Sequence, residues 1–258
     1  MRKVFLLGLI CVACAAMSFA ADAKFSIAAN SQLTEELLDS CWANRETVAN
    51  QKIIADYLLT NPAVPNDYAK AWKTARLVSF IGSYGADAKK FGTTPQGVQL
   101  FDYGVKAAQI ATTLQPNQIE GVFWYAVDLG SYDAVKGGIG GASKWIDAVK
   151  QANAIDPTYY YYGSNRMLGV YYQILPGILG GSNSKALQYL TTATIKAPQF
   201  RNNWLTLGQY YLNTKDYKNA LANCQKVLTL PKIDGKFEEM KYTRDANKCI
   251  SAAQAKLN

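Results

Sequence analysis

No histidine occurs in the 258 residues. That absence removes Ser-His-Asp and Cys-His pairs, imidazole metal sites and histidine proton shuttles. Carboxylates or lysine alone can still support an enzyme, but no spacing singles out a carboxylate pair. Glu35-Glu36 and Glu238-Glu239 each fall in the first turn of an expected helix, where the dipole favours acids. Cysteine is scarce: of five, only Cys41, Cys224 and Cys249 lie beyond residue 20, and their spacing matches no zinc motif. Neither metal nor cofactor is expected. Charged residues make up 18% of the chain and the lysines are scattered, so the net charge of +8 does not indicate nucleic acid. It permits contact with acidic partners or anionic lipid heads. Alternation of apolar and polar residues over a useful strand length is also missing, which makes the expected fold all-α.

Residues 1–20 read as an export signal. Arg2 and Lys3 precede an apolar run from Val4 to Met17, and Ser18-Phe19-Ala20 supplies a small-residue cleavage site. The run is short for a membrane span, and neither Cys11 nor Cys14 sits in a good lipoprotein context. A soluble periplasmic protein is expected, with 25 basic against 19 acidic residues after cleavage. An oxidising compartment would allow Cys224 and Cys249 to pair; the alternative is two small buried side chains, the expectation for Cys41. Residues 21–32 read as a flexible leader.

The remainder carries helical spacing. Thr34 is placed to cap a helix that begins at Glu35, and residues 33–62 form either one bent helix or a pair. Trp72, Ala75, Val78 and Ile81 mark the face of another. The helix from Gln96 to Leu114 has a small-residue stripe and ends at Pro116. Pro116, Pro157 and Pro198 are 41 residues apart, each closing a second helix, and Pro231 closes a unit of 33 residues. Leu168, Gly169 and Tyr172, with Ala186, Leu190, Ala193 and Pro198, match the two helices of a tetratricopeptide unit. The expected architecture is a tetratricopeptide-like helical-hairpin solenoid over residues 33–234, with a C-terminal capping helix over 235–258.

Both long units are lengthened at a glycine-rich joint. One contains Gly137, Gly138, Ile139, Gly140 and Gly141; the other contains Pro176, Gly177, Ile178, Leu179, Gly180 and Gly181. Neither follows a strand or carries the Lys-Ser/Thr of a phosphate-binding loop. Equivalent insertions in stacked repeats project from one side, so Ile139, Ile178 and Leu179 either line an opening there or pack as merely long turns. Tyrosine is plentiful. Tyr172 and Tyr211 occupy packing positions, whereas Tyr171 and Tyr210, one residue earlier, are candidates for a concave partner surface. The run Tyr159 to Tyr162 follows Pro157 and cannot be sorted by spacing.

Three segments together resemble the T component of TRAP transporters: Trp124-Tyr125-Ala126 with Leu129-Gly130, Ile155-Asp156-Pro157, and Leu168 through Ala186. Similarity runs over residues 45–232. It implies a periplasmic tetratricopeptide-like homotrimer with a pore or cleft in each protomer, engaging a solute-binding protein and moving apolar ligands. It also implies a binding role without catalysis, with Pro176, Gly177, Gly180, Gly181 and Lys185 at the pore-side joint. The competing reading is a cell-envelope scaffold whose concave surface grips a peptide or protein.

Overall fold

The computed structural model describes residues 25–28, 31–61, 65–137 and 142–257. Among the described residues the regular structure is helical, with no strand. The helices are α1 (Glu35–Ala43), α2 (Val48–Thr60), α3 (Tyr68–Ser83), α4 (Ala88–Phe91), α5 (Pro95–Leu114) and α6 (Ile119–Val135). They continue as α7 (Ala142–Ile155), α8 (Tyr159–Ile174), α9 (Asn183–Lys196), α10 (Arg201–Asn213), α11 (Tyr217–Thr229) and α12 (Lys236–Leu257). A 3-10 turn, Gly177–Leu179, lies between α8 and α9. The residues read as an export signal, and Gly138, Ile139, Gly140 and Gly141 of the first joint, lie outside the described residues.

Local chemistry sets the helix boundaries. The side chains of Thr34, Thr47, Asp67, Thr94, Ser182 and Asp216 each accept a hydrogen bond from a backbone N–H three residues on, satisfying a donor that a helix start leaves open. At the other ends, α5, α7, α9 and α11 each stop two residues before Pro116, Pro157, Pro198 or Pro231. Proline restricts the residue ahead of it to extended backbone and lacks the N–H that would continue the ladder. The segment read as one bent helix or a pair is a pair, α1 and α2.

Consecutive helices pack on each other from α5 to α12, and α10 touches α8, α9, α11 and α12. Glycine permits the closest crossings. A Cβ on Gly130 would stand 2.8 Å from the indole nitrogen of Trp145, one on Gly169 2.5 Å from Leu190, and one on Gly208 2.3 Å from the sulfur of Cys224. Each of these glycines follows a leucine on α6, α8 or α10, and each meets the next helix.

The last helix also meets the first three. Phe237 of α12 packs into the cluster formed by Leu38, Ile54, Leu77 and Phe80 of α1 to α3. Tyr242 of α12 is in edge contact with Tyr84 and Phe200. The core therefore returns on itself around an interior space. On α10, buried Arg201 donates from Nε to the carbonyl of Val227 and from Nη2 to Thr243 Oγ1, joining α10 to α11 and α12. Cys224 of α11 and Cys249 of α12 form a disulfide, and Cys41 is a buried free thiol.

Candidate functional site

The interior space is a cavity of about 600 Å³. Its wall comes from the faces of α3, α6, α8 and α10 that look inward, closed by Trp42 of α1, Trp145 of α7 and Glu238 of α12. Phe80, Phe123, Trp124, Val127, Met167, Val170, Ile174 and Leu175 make it mainly apolar. Trp42, Phe80, Tyr84, Tyr160 and Trp124 of the wall are joined in an aromatic arc by Tyr242 and Phe200 behind it, with ring centroids 5.4–6.3 Å apart from each ring to the next. Offset and edge-to-face contacts of this kind add to the apolar area buried and hold ring positions well.

Where α8 begins, the wall departs from ordinary helix. Tyr160, Tyr161 and Tyr162 have φ of 48°, 56° and 62°, one left-handed turn built without glycine. Cβ sterics make that conformation cost about 1–2 kcal/mol per residue, so contacts elsewhere must offset it. Arg166, one turn into the right-handed part of α8, supplies them. Its Nη1 donates to the carbonyl of Tyr161 at 2.7 Å and to Asn203 Oδ1 at 2.6 Å, and its Nη2 to the carbonyl of Tyr160 at 3.2 Å. Asn203 donates in turn to the carbonyls of Ala193 and Ala197, which closes the end of α9. Tyr161 stacks on Phe200 at 4.4 Å. Burial lowers the pKa of Arg166, opposed by Tyr242, Tyr84, Tyr160 and Asp234 nearby.

Arg76 differs. Its guanidinium lies 4.0 Å from the ring of Trp42 and 4.8 Å from that of Trp72, yet among the described residues it has no hydrogen bond or ion pair, and its Nε is buried without an acceptor. Burial lowers its pKa too. Arg45 also stacks on Trp42, at 3.9 Å, but is held by the carbonyl of Trp42 and by Glu46.

Two acids reach the wall, Asp133 and Glu238. Glu238 is 4% exposed, and burial, opposed by Arg45 and reinforced by Glu46 and Asp234, pushes its pKa up to about 7. Burial likewise raises Asp234 to about 6. Ser79 of α3, on the wall, donates a hydrogen bond to Asp128 of α6 behind it, whose carboxyl is fully buried and shifted well above the usual range by that burial. Among the described residues no group of three or more Cys, Asp or Glu side chains is arranged to hold a metal ion.

Of the residues read from sequence as ligand or partner contacts, Tyr171 lines this cavity, beside Trp145. Tyr210 does not. It is 5% exposed, packs with Ala186, Leu190 and Leu207, and donates its hydroxyl to the carbonyl of Asn183, so its reading as a surface residue is corrected to core. Its helix, α10, presses that face onto α8 and α9, whereas the matching face of α8 backs onto open space. Pro176, Gly177, Ile178, Leu179, Gly180, Gly181 and Lys185 are also not on the cavity wall. Their turn points outward: Ile178 is 94% exposed, Leu179 59%, and nothing lies within 4 Å of where a Cβ on Gly177 or Gly180 would be. Gly180 has φ +93°, which explains the glycine there without any ligand. Lys185 sits over the ring of Tyr172.

The sequence reading missed Arg76, Arg166 and the tyrosine turn, and discounted Glu238. A lone arginine within an amphipathic helix gives no local signal, and an acid in the first turn of a helix has an ordinary explanation. Among the described residues no helix is long and apolar enough to cross a membrane. No protein-family model matches the chain, and no curated protein matches it.

Proposed function

We propose that the protein is a non-enzymatic binding protein of the periplasm that holds an apolar small molecule inside a tetratricopeptide-like solenoid, as an accessory to a TRAP-type transport system. The observation that carries this reading is the aromatic, mainly apolar interior cavity of about 600 Å³, in the size range of small-molecule sites. The solenoid is supported by helix ends at Leu114, Ile155 and Lys196, which keep the 41-residue step, and by the recurring glycine crossings on α6, α8 and α10. The resemblance to the T component supplies the compartment and transport setting.

Val170 of α8 faces the cavity, so Val170→Trp should fill it. Protein purified from cells is extracted and its bound organic molecules are identified by mass spectrometry. Wild type is expected to carry an apolar ligand and Val170→Trp to lose it at unchanged helix content. Gly177→Trp, which projects into open space, should retain it. Equal ligand content in wild type and Val170→Trp would overturn the reading. The exposed Ile178 and Leu179 favour a protein contact at the outward turn, and the partner proposed there is the solute-binding protein of the same system. That subunit arrangement extends to a homotrimer only through the family resemblance.

A further inference from the structure

We propose that the cavity takes a linear amphiphile with a single carboxylate, the head group read by Arg76 and the chain laid toward Ile174 and Leu175. The inference rests on the cavity being a ligand site and adds the ligand's chemistry and direction.

Among the described residues, Arg76 is the cation on the wall without a hydrogen-bond or ion-pair partner. Arg166 spends its donors on Tyr160, Tyr161 and Asn203, whereas Arg76 stacks on Trp42 and Trp72 and donates to nothing among the described residues. A guanidinium with open donors beside an apolar space favours a planar anion that can accept two parallel hydrogen bonds. Stacking on the indoles fixes its plane before the ligand arrives, so less side-chain entropy is lost on binding.

The other end of the space is apolar. From the tyrosine turn, α8 runs about 16 Å from Gly163 to Ile174 at 1.5 Å per residue, with Met167, Val170 and Ile174 on the wall. Ile174 is 62% exposed, which puts it where the cavity meets solvent. Asp133, the wall acid on α6, lies about 14 Å along that helix from Trp124, away from the Arg76 end. Glu238, the second wall acid, faces Arg45, which stacks on the same Trp42 ring as Arg76; the open donors of Arg76 and the apolar far end, rather than the wall acids, give the ligand its orientation.

Dodecanoate and 1-dodecanol share a chain and differ at the head, and their binding below micelle-forming concentrations is followed at pH 8 by tryptophan fluorescence and calorimetry. Dodecanoate should bind wild type at least about tenfold more tightly than the alcohol, the worth of one charge-assisted contact. Arg76→Gln should bring the acid down to the alcohol's affinity without changing the alcohol's own, which also checks that the variant folds. Arg76→Lys should keep part of the preference. Equal binding of acid and alcohol by wild type, or an unchanged ratio in Arg76→Gln, would overturn the assignment of Arg76 while leaving the cavity as a site. Failure of both probes to bind would remove the cavity reading and this one with it.

Discussion

Helix α8 is entered and left by two turns of opposite character. At its start, Tyr160 to Tyr162 form an aromatic turn in a conformation most side chains avoid, half-buried at Tyr160 and Tyr162 and exposed at Tyr161, tied by Arg166 to Asn203 of α10 and through it to α9. At its end, Pro176 to Gly181 form a glycine-rich turn whose apolar tip stands in solvent. Glycine and proline mark the second as a turn in the sequence, whereas the run of four tyrosines does not mark the first as one. Yet the first shapes the cavity, because Tyr160 is on the wall and its carbonyl accepts from Arg166. Glycine marks places where the chain is cheap to bend. A turn made without glycine needs neighbours to hold it, and here they are Arg166 and Phe200.

The sharpest way to break this comparison is to remove the neighbour. Arg166→Met keeps the volume roughly constant but leaves the carbonyls of Tyr160 and Tyr161 and the amide oxygen of Asn203 without their buried donor. A loss of about 3–5 kcal/mol is expected, read as a fall of roughly 10 °C in Tm by calorimetry. Near-wild-type stability would mean that the left-handed turn does not depend on Arg166.

A second, pH-dependent effect comes from Glu238, where α12 meets the first helices beside the cavity. Its folded pKa of about 7 lies above the ordinary carboxyl value of 4.5. Between those values the folded state holds the proton that the unfolded state has released, so stability falls as pH rises through the window and levels off above it. The groups facing Glu238 are Arg45, Glu46 and Asp234, and Asp234, raised to about 6, tilts the curve the same way. Glu238→Gln should remove most of the slope and raise stability at pH 8 by up to about 3 kcal/mol, seen in urea midpoints measured from pH 4.5 to 8. A slope unchanged by the substitution would place the titration elsewhere.

How far the sequence foretold this molecule divides along the same line. The first helix start and the later helix stops were legible because Thr34 and the prolines at 116, 157, 198 and 231 act on the backbone within a few residues. The stripes Trp72-Ala75-Val78-Ile81 and Leu168-Tyr172 were legible because burial follows the helical period. The cavity was not, because it depends on which inward faces lack a partner after packing. Tyr171 and Tyr210 hold matching places in successive units, yet one meets open space beside Trp145 and the other is filled in by α8 and α9. Arg76 and Arg166 look alike in sequence and differ in whether anything arrives to accept their hydrogen bonds.

The smallest effect on stability is expected at the outward turn, where it sharpens the comparison most. Ile178→Asp with Leu179→Asp changes two side chains that are largely exposed, so the folded state gives up almost no buried area. Stability should stay within about 0.5 kcal/mol of wild type, and dodecanoate binding should be unchanged, since neither residue touches the cavity. Capture of a TRAP solute-binding protein, measured by surface plasmon resonance, should fall at least about tenfold, because a charge buried against an apolar contact carries a desolvation cost that the partner does not offset. Undiminished capture would leave the exposed isoleucine without a role in docking, and the turn would then be only a hinge between α8 and α9. Loss of stability instead would mean that the tip packs on the body of the protein, and the contrast between the two ends of α8 would fail.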